Sequence, residues 1–284
     1  MIYPANFEQK VGFDRLREQV AALCTIRGGR ERLCAEQFST SQADVERRLA
    51  LADEMRRLLE MERDFPDDEF VDVDYILSKL KIEGSFLEVE EVVLLRRALA
   101  SAGAIAGFIL GRGEELYPEL RLRSRGIEAF PEIVRAIDGI VDQYGKIRDD
   151  ASPELQQIVE ADAMLSIRDG RAVIPVAAAN KRKLQGFIHD ESATGKTFYV
   201  EPVEVVEINN ELKELEYAER REIVRILSAF TDSIRPEADR IALIGDYLSD
   251  LDMIRAKARW AVANGAVKPI VSTDDRLVLR NARH

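Results

Sequence analysis

His189 and His284 are the only histidines in this 284-residue chain, and Cys24 and Cys34 are its only cysteines. Nucleophilic catalysis of the Ser–His or Cys–His type needs a base beside the nucleophile and a third group to orient that base. Two histidines, one of them terminal, leave little from which to assemble such a set. Two thiols supply neither a disulfide framework nor a zinc site, and they suit a reduced, cytoplasmic chain. Acid pairs such as Asp67-Asp68 and Asp149-Asp150 lie in charge-rich stretches without a partnering histidine. They read as solvated loop residues. No catalytic residue and no metal site is expected from these groups.

Gly195-Lys196-Thr197 has the spelling of the end of a phosphate-cradling loop. Such a loop needs a strand before it, a leading glycine five residues earlier and a helix behind it. Here the leading position is Asp190, whose charge repels phosphate, and Thr197-Phe198-Tyr199-Val200 follows as a strand-like run. The triplet is therefore expected in a turn. Gly111-Arg112-Gly113 lacks a preceding strand and a third glycine, so it reads as a helix terminus.

Charge is the strongest chemical signal. The chain carries a formal net charge of −11. Between Met164 and Val200, six bases (Arg168, Arg171, Lys181, Arg182, Lys183, Lys196) face three acids (Asp169, Asp190, Glu191). That segment is thus +3 and the remainder −14. Bases gathered at one place on an acidic body are what a contact to a polyanion requires. The competing reading is an ordinary solvated loop with three consecutive bases.

The elements that must position these residues follow from composition and periodicity. Apolar residues make up 46% of the chain and charged ones 33%, with only 16 Gly and 9 Pro, which favours long helices over a sandwich or barrel. Phe13, Leu16, Val20 and Leu23 have helical spacing and stop at a Gly28-Gly29 break. Ser41 with Asp44, and Ser85 with Glu88, are expected capping boxes for helices through Glu62 and to about Leu110. The run Ala98–Gly111 is too short to span a bilayer and reads as a buried helix, so no membrane contact is expected. Pro131 opens a further helix. Strands are expected at Leu165–Ile167, Ala172–Pro175, Leu184–His189 and Thr197–Val200. A helix over Val203–Ile234 would be about 48 Å long, and its fully charged middle, Glu219-Arg220-Arg221-Glu222, suggests an arm reaching away from the body into solvent with the strand module at its far end. Pro236 starts another, ending at Asn264-Gly265. Lys268–His284 reads as two short strands.

A long return helix needs an outgoing partner, and Ala151–Ala163 would span only about 20 Å. A few dozen residues are expected to be missing near Ile158–Ala163; the alternative is a naturally shortened arm.

Several of these segments also carry a family likeness. They are Ser166-Ile167-Arg168-Asp169-Gly170-Arg171 with Val173-Ile174-Pro175-Val176, and Gly186-Phe187-Ile188-His189-Asp190-Glu191-Ser192-Ala193 with Tyr199-Val200-Glu201-Pro202. Two more are Glu207-Ile208-Asn209-Asn210-Glu211-Leu212 and Asp252-Met253-Ile254-Arg255-Ala256-Lys257-Ala258. Together they resemble the core, lever and clamp of bacterial MutS-family ATPases, in the MutS-two branch that begins directly with the core. Phe86-Leu87-Glu88 and Phe130-Pro131-Glu132 match the mismatch-reading Phe-x-Glu triplet only by spelling, because both fall at helix starts.

The resemblance implies a mainly α fold, a multi-helix core with long antiparallel lever helices and a small β-hairpin clamp module. The corresponding division is 1–150 for the first part of the core and 151–202 for a truncated outgoing lever plus clamp. The return lever and core helix occupy 203–263, and 264–284 begins an ATPase domain absent here. ATP and magnesium are expected in that absent domain, together with a Smr-type nuclease domain, and no cofactor is expected in this chain. The implied function is clamping of branched or duplex DNA by a homodimer in repair or in limiting recombination. Lys181, Arg182, Lys183 and Lys196 are the expected phosphate contacts, setting affinity and its salt dependence. Alternatives are a clamp acting on collided ribosomes, and a helical scaffold binding an acidic protein.

Overall fold

The structure, a computed structural model, describes residues 6–67, 70–156, 167–168, 171–177, 185–192, 195–272 and 276–280. It divides into two compact units, one made of 1–137 with 233–284 and the other of 138–232. The fold is mainly α with a small antiparallel β module, as expected. Lys181, Arg182, Lys183 and the expected lever gap at Ile158–Ala163 lie outside the described residues.

The first unit is helical. Its elements are α1 (Phe7–Lys10), α2 (Phe13–Ala21), α3 (Arg27–Ala35), α4 (Gln42–Met61), α5 (Asp74–Leu80), α6 (Val89–Leu110), α7 (Pro118–Ser124) and α8 (Pro131–Ile140), with α10 (Ala238–Asn264). The last three residues of α8 enter the second unit. Ser41 caps α4 by accepting from the Asp44 N–H at 3.4 Å. The second expected cap is displaced by one turn. Glu88 is the N-cap residue of α6 and forms a reciprocal capping box with Glu91, whereas the Ser85 hydroxyl donates to the carbonyls of Lys79 and Ile82. A glutamate side chain can accept from the N3 N–H as a serine does, so the local spelling was ambiguous.

Helix α6 is long and apolar enough to cross a membrane by composition. Leu95, Leu99, Ile105 and Ile109 along it are nevertheless fully buried, and it serves as the core helix of this unit. The expected break at Gly28-Gly29 is also corrected. Both glycines sit in the first turn of α3, and the chain turns before it, over residues 22–26. Their lack of a Cβ is what matters. A Cβ on Gly29 would lie 2.6 Å from Asp252 Oδ2 and 3.1 Å from the Ser249 carbonyl. That absence lets α3 approach the backbone of α10.

In the second unit, β1 (Ile167–Arg168) pairs antiparallel with β2 (Arg171–Ala172). Strands β3 (Ile174–Ala177), β5 (Thr197–Pro202) and β4 (Gly186–Glu191) form a second antiparallel sheet in that order. Ile174, Val200 and Ile188 stand opposite one another on one face, with Val200 buried. Gly186 has no Cβ because the Glu201 carbonyl oxygen lies 2.1 Å from where one would sit. A short 3₁₀ turn, Val203–Val205, leads into α9 (Val206–Ile234), whose 29 residues rise about 43 Å and whose last two residues belong to the helical unit.

Two further expectations change. Residues 265–272 and 276–280 contain no regular secondary structure, so the two short strands expected in Lys268–His284 are not found among the described residues. Their apolar residues have no pairing strand there, and pairing is what turns β propensity into a strand. The charged middle of α9 is not wholly a solvated stretch, because Glu222 is buried.

Candidate functional site

The strand unit is organised around one carboxylate. Glu201 is the penultimate residue of β5, and its side chain is 2% exposed. A buried carboxylate needs donors on most of its lone pairs. Arg171 Nη1 donates to both of its oxygens, at 2.8 and 3.0 Å, and Asn209 Nδ2 donates to Oε1 at 2.6 Å. His189 Nε2 hydrogen-bonds Oε2. The donors arrive from β2, from α9 and from β4.

Backbone geometry explains each arrival. The β4–β5 register slips between Ile188 and Asp190, leaving His189 as the extra residue of a bulge. Bulges re-aim side chains, and here the ring meets Glu201. Asn209 lies in the first turn of α9, eight residues past Glu201, and is 1% exposed. Burial raises the Glu201 pKa, but hydrogen bonds from Asn209, His189 and Arg171 and the Arg171 charge outweigh it, leaving the carboxyl below its ordinary value. Glu201 is therefore ionised at neutral pH. It ties β2, β4, β5 and α9 into one piece.

A second tie sits farther along α9. Glu222 accepts two hydrogen bonds from Arg225, at 2.8 and 2.7 Å, and one from the Ser152 hydroxyl at 2.6 Å. Ser152 in turn accepts from the Leu155 N–H at 3.0 Å. These bonds, Arg225 first and Ser152 next, bring the Glu222 pKa down to about 2. The segment Ala151–Leu155 is thus held by a capping serine that also reaches the long helix.

Around the Glu201 hub, the module presents exposed groups. All six residues of β4 are exposed, and Lys196 is exposed in the turn between β4 and β5. Gly195 adopts φ +65° and donates to the Ser192 carbonyl at 2.7 Å. Only strand β5 follows it. Gly195 and Lys196 therefore lie in a turn, as expected, and Thr197 opens β5. Lys196 is the one expected phosphate contact inside the described residues.

The Asp252–Arg255 segment plays a different part, in the helical unit. Asp252 is fully buried and accepts from the backbone N–H of Thr25 at 2.8 Å and of Ile26 at 3.0 Å. It thereby satisfies the amides that lead into α3. Arg255 Nη2 lies 3.2 Å from Asp252 Oδ1, its other nitrogen bonds the Asp67 carbonyl, and its guanidinium stacks on Phe70 at 4.2 Å. This is an architectural joint that brings α3, α10, Asp67 and Phe70 together.

The motif segments that lie far apart in sequence thus converge, four of them on Glu201 or its strand and one on the α3–α10 contact. Curated relatives match the chain over nearly its whole length. The chain is 29% identical over 298 residues to the Endonuclease MutS2 of Lacticaseibacillus paracasei, covering 96% of this chain. It is 30% identical over 302 residues to that of Pelotomaculum thermopropionicum, covering 97%. The chain is MutS2-like.

To the Endonuclease MutS2 of Finegoldia magna it is 31% identical over 229 residues, 71% of this chain and 29% of that protein. No protein-family model matches the chain. It spans 38% of the length of the first two MutS2 relatives. Glu201 as the hub was not singled out from the sequence. The signal available was the recurrence of Arg171, His189, Glu201 and Asn209 within separate motif segments.

Proposed function

We propose that the strand unit is the nucleic-acid-contacting clamp of a MutS2-like protein, which acts on branched or duplex DNA as a homodimer in repair or in limiting recombination. The observation that carries this reading is the separation of charge, +3 between Met164 and Val200 against −14 elsewhere. Repulsion over the body and attraction at one module restrict where a polyanion can settle. Lys181, Arg182, Lys183 and Lys196 contact phosphates in this reading, which gives affinity without sequence choice. The Glu201 hub supports it for Lys196 by holding together strands β4 and β5 on either side of its turn, since a salt-dependent contact loses less entropy when its donor is held in place. Lys196 is exposed on that turn.

The test is the salt dependence of binding to a DNA junction. Replacing Lys181, Arg182 and Lys183 together by Glu in the whole protein should reduce the slope of log K against log salt by about 0.9 for each lost phosphate contact. An unchanged slope removes the assignment. Stronger association of the whole protein with stalled ribosomes than with junction DNA, at two salt concentrations, would move the target from DNA to ribosomal RNA.

A further inference from the structure

The helical unit contains a cleft of about 480 Å³ between the segment 32–52, Arg123 and the C-terminal half of α10. Its charged lining is unlike the rest of the acidic chain. Five bases, Arg32, Arg47, Arg48, Arg123 and Lys257, share only three carboxylates, Glu36, Asp44 and Asp250.

Each carboxylate is bridged by two of those bases. Glu36 takes Lys257 at 2.6 Å and Arg48 at 3.4 Å. Asp44 takes Arg48 at 2.7 Å and Arg47 at 3.3 Å. Asp250 takes Arg32 at 2.6 Å and also Arg123. Arg32 has one more partner, Asp246, outside the cleft lining. The lining therefore carries two more positive charges than negative ones. Four of its five bases are guanidinium groups with several N–H donors each. The Arg47 and Arg123 side chains are 53% and 42% exposed, so they retain donors facing solvent.

The floor is apolar. Leu51, Ala52, Met253 and Ile254 are among the residues that line the cleft. A surface ion-pair network alone needs neither a concave apolar floor nor a surplus of bases. A bound anion with an apolar body uses both. The cleft volume falls in the range of small-molecule sites, roughly 300 to 1,000 Å³. A phosphomonoester carries about −1.5 to −2 charges at pH 7, opposite in sign to the surplus of the lining.

We infer that this cleft binds a phosphomonoester with a flat or apolar body, the chemistry of a nucleoside monophosphate, with the phosphate on the guanidinium groups of Arg47 and Arg123 and the body on Leu51 and Met253. This site is separate from the strand module and does not rest on the clamp reading. Arginine suits the role because its fork meets phosphate oxygens two at a time.

The experiment is calorimetric titration of the 284-residue chain with AMP, glucose 6-phosphate and inorganic phosphate at one ionic strength. Saturable binding is expected for AMP, at least ~10-fold tighter than for glucose 6-phosphate or inorganic phosphate because only AMP covers the apolar floor. Arg47→Ala and Arg123→Ala, both at exposed positions, should each weaken AMP binding by about 5- to 10-fold. Their thermal melting without ligand should stay close to that of the parent, which separates lost recognition from lost fold. Absence of saturable AMP binding at millimolar concentration overturns the proposal. Equal affinity for all three ligands, or AMP binding that both variants retain, also overturns it.

Discussion

The two units bury carboxylates in opposite ways. In the helical unit, burial dominates at Asp252 and Glu54 and holds both above their ordinary pKa values, although backbone N–H groups and nearby arginines pull the other way. In the strand unit, side-chain donors win. Glu201 and Glu222 lie below their ordinary values, with Glu222 at about 2. The difference lies in the partners. Asp252 and Glu54 accept mainly from backbone amides of a neighbouring segment, Thr25 and Ile26 or Glu119 and Leu120. Glu201 and Glu222 accept from side chains instead, Asn209, His189 and Arg171 for the first and Arg225 and Ser152 for the second, and each set includes a guanidinium charge that favours ionisation. A helical core can thus place carboxylates as caps, whereas a small module with little core uses ion pairs to hold its strands.

The largest expected effect tests the helical side of that contrast. Asp252→Ala leaves the Thr25 and Ile26 amides without their acceptor and removes the buried carboxylate that faces Arg255. It should destabilise this unit by about 3 to 5 kcal/mol, read as a lower midpoint in urea unfolding. A loss below about 1 kcal/mol would mean that the cap is dispensable.

Glu201→Gln comes next. It keeps the shape but removes the charge that Arg171 faces, and it should cost the strand unit roughly 2 kcal/mol. Amide exchange in β4 and β5 should accelerate while α6 keeps its protection. Uniform acceleration across both units would contradict an organising role confined to the strand module.

Packing at the α3–α10 contact gives a graded pair. Gly29→Ala pushes a Cβ onto Asp252 and the Ser249 backbone, and should cost about 1 to 3 kcal/mol. Gly28→Ala meets the Ser249 hydroxyl at 2.3 Å, the mobile end of a side chain, and should cost less. Equal melting temperatures for the two variants would show that backbone proximity is not the constraint.

Acid gives the finest separation. A carboxylate depressed in the folded state contributes stability that is fully present above its unfolded pKa and is lost as pH falls through the folded value. For Glu222 that window runs from 4.5 to about 2. Asp252 and Glu54 have the opposite sign, since protonation relieves their burial as pH falls. Residue-resolved spectra between pH 5 and 2.5 should therefore show the strand unit loosening before the helical one. Loosening in the reverse order would break the contrast.

Legibility followed the range of the interaction. Helix α4 and its Ser41 cap, the punctuation before α10 and its end at the left-handed Gly265 were readable because caps and periodicity act within a few residues. The turn at Gly195 was readable for the same reason. The start of α6 was misplaced by three residues because Ser85 and Glu88 are both competent caps and only packing selects one. Glu222 was read as solvated because its charge is visible in sequence, whereas Ser152, 70 residues away, is not visible as its partner.

Composition, helical period and charge by themselves determined that the chain is mainly helical, interrupted once by a basic strand module within an acidic body. Those are sums and local patterns, and a linear string contains them. Tertiary structure alone decided that Glu201 is the hub of the module, because Arg171, His189 and Asn209 reach it from 30, 12 and 8 residues away. It also decided that Asp252 is a cap for α3 from 226 residues away. A buried carboxylate is stable only where donors converge on it in space, and that convergence arises when strands pair and helices pack.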